Sequence, residues 1–220
     1  MSADNDAKPE APRSQNSWNA RFSIDEARAR LREAVAKSES ILSRAWGLVS
    51  SPKAEWEQIR AEDTTIANIL IGYVAPLAAI PPVADLIGSY LWGGASLVEF
   101  GGRLVGAIVA WVVGVAMVYL LGIVINATAE NFDSMRDELA AQKIAAYSLT
   151  PFFISTLLLL WPPLLFIPVL ALGLMVFLIY RGLPILMHTR EDRALSYTAT
   201  ITVAAIVTFA IQMSVAGCMT

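Results

Sequence analysis

One ionisable side chain, Asp85, interrupts an otherwise uncharged apolar stretch from Ile66 to Trp92. A charge at bilayer depth is costly and marks ion or proton pathways, so Asp85 is the candidate ion or polar site. Pro76, Pro81 and Pro82 in the same stretch predict a kinked or broken helix, the device by which transporters turn backbone carbonyls toward an ion. The structural alternative is plain. Asp85 lies about 20 residues after Ile66, close to Tyr90 and Trp92, where a carboxylate sits hydrated at the outer interface. Prolines in membrane helices ordinarily do no more than kink them.

The remaining chemistry-bearing residues offer less. His188 stands beside Arg190, Glu191, Asp192 and Arg193 with no second His or Cys nearby, too few ligands for a metal. Glu130, Asp133, Asp137 and Glu138 could bind a cation or a basic partner, but Arg136 and Lys143 interleave them, the pattern of a solvated loop. Cys218 is the only cysteine, which excludes an intramolecular disulfide and a multi-cysteine metal site. No HExxH, GxSxG or P-loop motif is present, and no serine is paired with a plausible base. The expectation is a chain that is not an enzyme and carries no catalytic, cofactor or metal site.

Small residues recur at every fourth position at Gly102, Gly106, Ala110 and Gly114, with Gly122 further along. Such a face lets a neighbouring helix approach to backbone contact, which in lipid replaces the missing hydrophobic drive. Helix packing within one bundle is the simpler use of the face; a homodimer seam is the alternative.

The elements that position these residues are set by composition. Apolar residues make up 56% of the 220 and charged residues 16%, with mean hydropathy +0.56, a profile that excludes an ordinary soluble domain. Residues 1–65 hold ten Lys/Arg against eleven Asp/Glu, leaving six and eight for the rest. That near-balance provides no basic patch and excludes nucleic-acid binding. Residues 1–23 are too polar to offset the entropy of ordering and read as a disordered tail, without the apolar core of a signal peptide.

Residues 24–62 read as cytoplasmic or interfacial helices. Ile24, Leu31, Val35, Leu42, Ala45, Trp46 and Val49 fall on one helical face, with Leu42 and Trp46 expected toward lipid or the bundle. Ser51-Pro52 then restarts a short helix. Residues 63–217 read as a membrane domain of five spans at about 66–92, 104–126, 144–161, 164–181 and 196–217. The uncharged run from Ile144 to Tyr180 would make roughly 55 Å of helix, nearly twice the hydrocarbon thickness. It therefore divides into two spans, with Trp161-Pro162-Pro163 as the hairpin. Aromatic residues mark the span ends, Trp111 excepted. Lys53, Arg60, Arg136, Lys143, Arg181, Arg190 and Arg193 lie on the N-terminal side of this path and Arg103 alone on the other. This bias predicts a cytoplasmic N-terminus and a periplasmic C-terminus.

Three segments carry a resemblance: Ser51-Pro52-Lys53-Ala54-Glu55-Trp56-Glu57-Gln58-Ile59, Ala145-Ala146-Tyr147-Ser148-Leu149-Thr150-Pro151, and Tyr180-Arg181-Gly182-Leu183. In this order and on five spans they resemble the Yip-domain family, the Ypt-interacting proteins and their bacterial relatives, over about residues 44 to 217. The aspartate-leucine-tyrosine-glycine-proline segment of eukaryotic relatives is absent. The family-like positions are Pro52, Trp56, Tyr147, Pro151, Tyr180 and Gly182. The resemblance implies membrane organisation or partner recruitment rather than chemistry. Two expectations follow: an all-α inner-membrane scaffold or adaptor touching the bilayer and other membrane proteins or a second copy, or a small transporter or channel.

Overall fold

The computed structural model describes residues 41–94, 96, 99–160, 164 and 166–217, together with Arg28, Ala29, Arg32 and Glu39. The tail, most of the amphipathic face from Ile24, the Trp161-Pro162-Pro163 hairpin and Cys218 lie outside the described residues. The chain divides into two units, residues 1–43 and 44–220. In the first, every described residue is helical and Leu42 is exposed.

In the second unit the described residues form helices, without strands. Residues 44–50 are helical, and Trp46 is exposed while Leu48 is buried. Helix α1 (Pro52–Ala61) starts where the sequence places Ser51 before a proline at the first helical position. The first long apolar segment is broken, as its prolines predict. It runs as a π-helix (Asn68–Val74), α2 (Ala75–Ala78), a turn at Ala79 and α3 (Ile80–Leu91). The break explains Trp111. Its indole Nε1 donates to the Ala75 carbonyl at 2.7 Å, satisfying a backbone acceptor near the interruption, so the ring is needed in mid-span rather than at an edge.

Helix α4 (Phe100–Thr128) continues through a 3₁₀ turn (Ala129–Phe132). The next stretch is cut into α5 (Glu138–Ser148), α6 (Thr150–Ser155) and a 3₁₀ segment (Thr156–Leu160). Asp137 caps α5 by accepting from Ala140 N at 3.0 Å. Pro151 ends the regular ladder because it has no N–H for the carbonyl four residues earlier. Helices α7 (Ile167–Leu186) and α8 (Glu191–Gly217) complete the unit. Among the described residues, four segments are long and apolar enough to cross a membrane: Asn68–Leu91, Phe100–Phe132, Ile167–Leu186 and Glu191–Gln212. The stretch 138–160 is not among them because its helices are short, yet Ala140 to Ser148 are all buried, with α5 packed on α4 and α7.

Two sets of contacts define the ends of the second unit. At one, Met135 N donates to Met187 O at 2.9 Å and the Ser134 hydroxyl to Thr189 Oγ1 at 2.8 Å, joining the loops that carry Arg136 and Arg190, with Arg193 in the first turn of α8. At the other, Trp92 Nε1 donates to Leu160 O at 2.8 Å, near Arg103 and its exposed partner Glu99. His188 serves the first end through its backbone. It turns the chain out of α7 at φ 51°, a left-handed conformation in which His is enriched, and Thr189 N then reaches Leu183 O.

Candidate functional site

The three family-like segments meet at the first, basic end. Trp56 and Ile59 form the inner face of α1, both fully buried, and α1 packs along α7. Gly182 on α7 makes this possible: a Cβ there would lie 3.0 Å from the Trp56 Cε2 and Cζ2 atoms, closer than an unshifted indole tolerates. Tyr180 is exposed on α7, away from the Trp56 contact, and Pro52 is half-buried at the start of α1.

The C-terminal end of α1 is held by a lysine. Lys143, on α5, is 4% exposed and its ammonium donates to Ile59 O at 2.7 Å and Glu62 O at 2.8 Å. Ile59 O also accepts from Glu62 N at 3.3 Å, so the ammonium adds a second donor to one carbonyl and supplies one to the cap carbonyl of Glu62, and a cation there also complements the helix dipole. The two acceptors offset the cost of withdrawing the ammonium from water. The sequence pattern places Lys143 in a solvated loop; the structure corrects this, because Asp137 starts α5 early enough to carry Lys143 under α1.

Arg44 ties the preceding helical segment into the same assembly. It bonds Glu55 at 3.1 Å and Glu62 at 3.0 Å, and its guanidinium lies 5.4 Å from the centroid of the Tyr147 ring. Gly47 leaves room for the pair, since a Cβ there would collide with the Glu55 carboxylate. Tyr147 in turn packs against Tyr73 at 4.6 Å, and the Tyr73 hydroxyl shares a 2.8 Å hydrogen bond with Thr150, the residue before Pro151. Pro151 itself is half-buried and opens α6.

Of the six family-like residues, then, Trp56 and Gly182 touch, and Tyr147 is linked to α1 through Arg44 and Glu55. Arg44, Gly47, Glu55, Glu62, Tyr73 and Lys143 complete the cluster. The sequence held one usable signal for them, a lysine at the edge of a long uncharged run; the Arg44 pairs depend on a chain reversal that no local pattern specifies.

The other candidates stand apart from this cluster. Asp85 is exposed on α3. The small-residue face divides along α4. Gly102 and Gly106 have nothing within reach of a Cβ, while Gly114 would meet Gln212 at 3.4 Å and Ala78 at 3.9 Å. Ala110 lies between them, half-buried. Further along, Gly122 admits the Gln142 side chain, whose Nε2 donates to Tyr119 O at 2.8 Å. Among the described residues no group of His, Cys, Asp or Glu has the arrangement of a metal site.

Residues 46–212 match the family described as the Yip1 domain. Two curated relatives, both named Inner membrane protein YohC, come from Escherichia coli strain K12 and Escherichia coli O6:H1 strain CFT073. Each is 29% identical over 168 residues, covering 72% of this chain and 86% of the relative. No solved structure matches the chain.

Proposed function

The chain belongs to the Yip1 domain family and is an all-helical polytopic membrane protein in contact with the lipid bilayer; from that premise we propose that it is a non-enzymatic scaffold or adaptor recruiting partners at its basic end. The observation that carries this reading is the Arg44, Trp56, Lys143 and Gly182 assembly. It fixes α1 and the start of residues 44–50 against the bundle with buried contacts.

The proposed topology has five crossings, with the N-terminus in the cytoplasm and the C-terminus in the periplasm of an inner membrane. Support comes from the two ends. Asp137 follows the loop bonded to Met187 and Thr189, whereas Leu160 accepts from Trp92, so residues 138–160 pass from one end to the other as a broken fifth crossing. Lys53, Arg60, Arg136, Arg181, Arg190 and Arg193 then fall on the cytoplasmic side. In this reading Gly102 and Gly106 offer a lipid-facing surface to a second copy or another membrane protein.

Transport is less favoured, since the interrupted first span presents its Ala75 carbonyl to Trp111 and Asp85 is exposed. The test is in-cell cross-linking and capture with the intact protein, a version lacking residues 1–43, and Trp56→Ala. Recruitment at the basic end predicts partners lost from both variants while the protein still inserts. A partner set unchanged in both counts against it, and ion flux through liposomes that Asp85→Asn abolishes would replace it with transport.

A further inference from the structure

A second feature of the basic end is a shallow cavity of 440 Å³ between the start of α1 and the last turns of α7, lined by Pro52, Lys53, Glu57, Phe177 and Arg181 among others. We propose that it holds the headgroup of an aminophospholipid, a phosphodiester carrying a primary ammonium. The inference rests on the membrane placement of the chain and is independent of the partner-recruiting reading.

Position supplies the first argument. Arg181 lies five residues before the end of the Ile167–Leu186 segment and Phe177 one turn deeper, while α1 is a polar helix whose buried side is turned to α7. The cavity thus runs from the level of lipid headgroups, where long basic side chains extend to the interface, into the level of the acyl chains. Phe177 is exposed and has the Arg181 guanidinium 5.5 Å from its ring centroid, which holds the charge at the cavity while leaving its remaining donors to a ligand.

Charge supplies the second. Lys53, Glu57 and Arg181 are all exposed, and no ion pair engages any of them among the described residues, although Lys53 and Glu57 stand one turn apart on the same helix face. Two unpaired cations suit a phosphate. The unpaired carboxylate beside them opposes a purely anionic headgroup and suits an ammonium that can donate to it. Ser51 makes no side-chain cap, so the first N–H groups of α1 add to the phosphate side of this pattern. A phosphoethanolamine-type headgroup satisfies both signs at once. Phosphatidylglycerol lacks the ammonium, and phosphatidylcholine has a quaternary one that donates no hydrogen bond.

The test is native mass spectrometry of the purified full-length protein, delipidated and offered phosphatidylethanolamine, phosphatidylglycerol and phosphatidylcholine with identical acyl chains. Phosphatidylethanolamine is expected to be retained best. Arg181→Gln should weaken it about tenfold, the size of one lost charge-assisted hydrogen bond, and Lys53→Gln, at an exposed site with no fold contact to lose, should act in the same direction. Glu57→Gln should keep phospholipid binding but abolish the preference over phosphatidylglycerol. Equal retention of the three lipids by the unaltered protein, a preference for phosphatidylglycerol, or phosphatidylethanolamine binding indifferent to both Lys53→Gln and Arg181→Gln would overturn the assignment.

Discussion

The two ends of the membrane domain are built differently. At the basic end a buried tryptophan, a buried lysine and a doubly paired arginine lock α1, α5 and α7 together. At the other, Arg103 and Glu99 form an exposed pair at 3.4 Å, and Gly101, Gly102 and Gly106 meet nothing within reach of a Cβ. Directional contacts that only one arrangement satisfies give the first end a single conformation. An exposed pair and an open glycine face supply little of that, because such pairs contribute about 0–1 kcal/mol and an unfilled face contributes no packing. The contrast teaches where the directional contacts are concentrated: at the end that carries α1.

The largest break in this contrast should come from Trp56→Ala. Removing a fully buried indole is expected to cost about 3–5 kcal/mol and to release α1 from α7. Proteolysis within Ser51 to Glu62, which the unaltered protein in detergent should resist, measures that release. Lys143→Met comes next. It keeps most of the side-chain volume but removes both ammonium hydrogen bonds, leaving Ile59 O with the Glu62 N donor alone and Glu62 O without its lysine donor, for about 2 kcal/mol, seen as a lower melting temperature.

The glycines sharpen the comparison at the small end of the scale. Gly114→Leu pushes on Gln212 and Ala78 and should destabilise by about 1–3 kcal/mol, whereas Gly106→Leu should leave the protomer's melting temperature unchanged. If Gly106→Leu also abolishes a cross-linked dimer, the open face is a seam between copies. Equal destabilisation by both substitutions would erase the difference between the ends.

Much of the fold was legible because lipid imposes long apolar helices, and the lengths of uncharged sequence reveal them. Pro76, Pro81 and Pro82 announced a break in the first segment, whereas the interruption at Pro151 in the third went unread, because the sequence assigned that segment an unbroken span from Ile144. Its helix begins at Glu138 instead, because Asp137 is a better cap than any residue nearer the apolar run. Trp111 looked misplaced only while its acceptor, the Ala75 carbonyl, was out of sight. The site was legible as three segments but not as one cluster. Trp56 against Gly182 and Lys143 against Ile59 join residues far apart in the chain, and periodicity reports the face a residue occupies, not its partner on another helix. Spacing gives Gly102 and Gly106 the same status as Gly114, and only the position of neighbouring helices separates them.

The central claim is that the basic end faces the cytoplasm and receives partners. A photo-cross-linking residue placed in living cells at Met135, exposed at the basic end, and separately at Glu99, exposed at the other, tests it most directly. The account predicts a cytoplasmic protein captured from Met135 and not from Glu99, with the Met135 product lost when Trp56→Ala is added. Capture of periplasmic proteins from Met135, or of the same cytoplasmic proteins from Glu99, would contradict it.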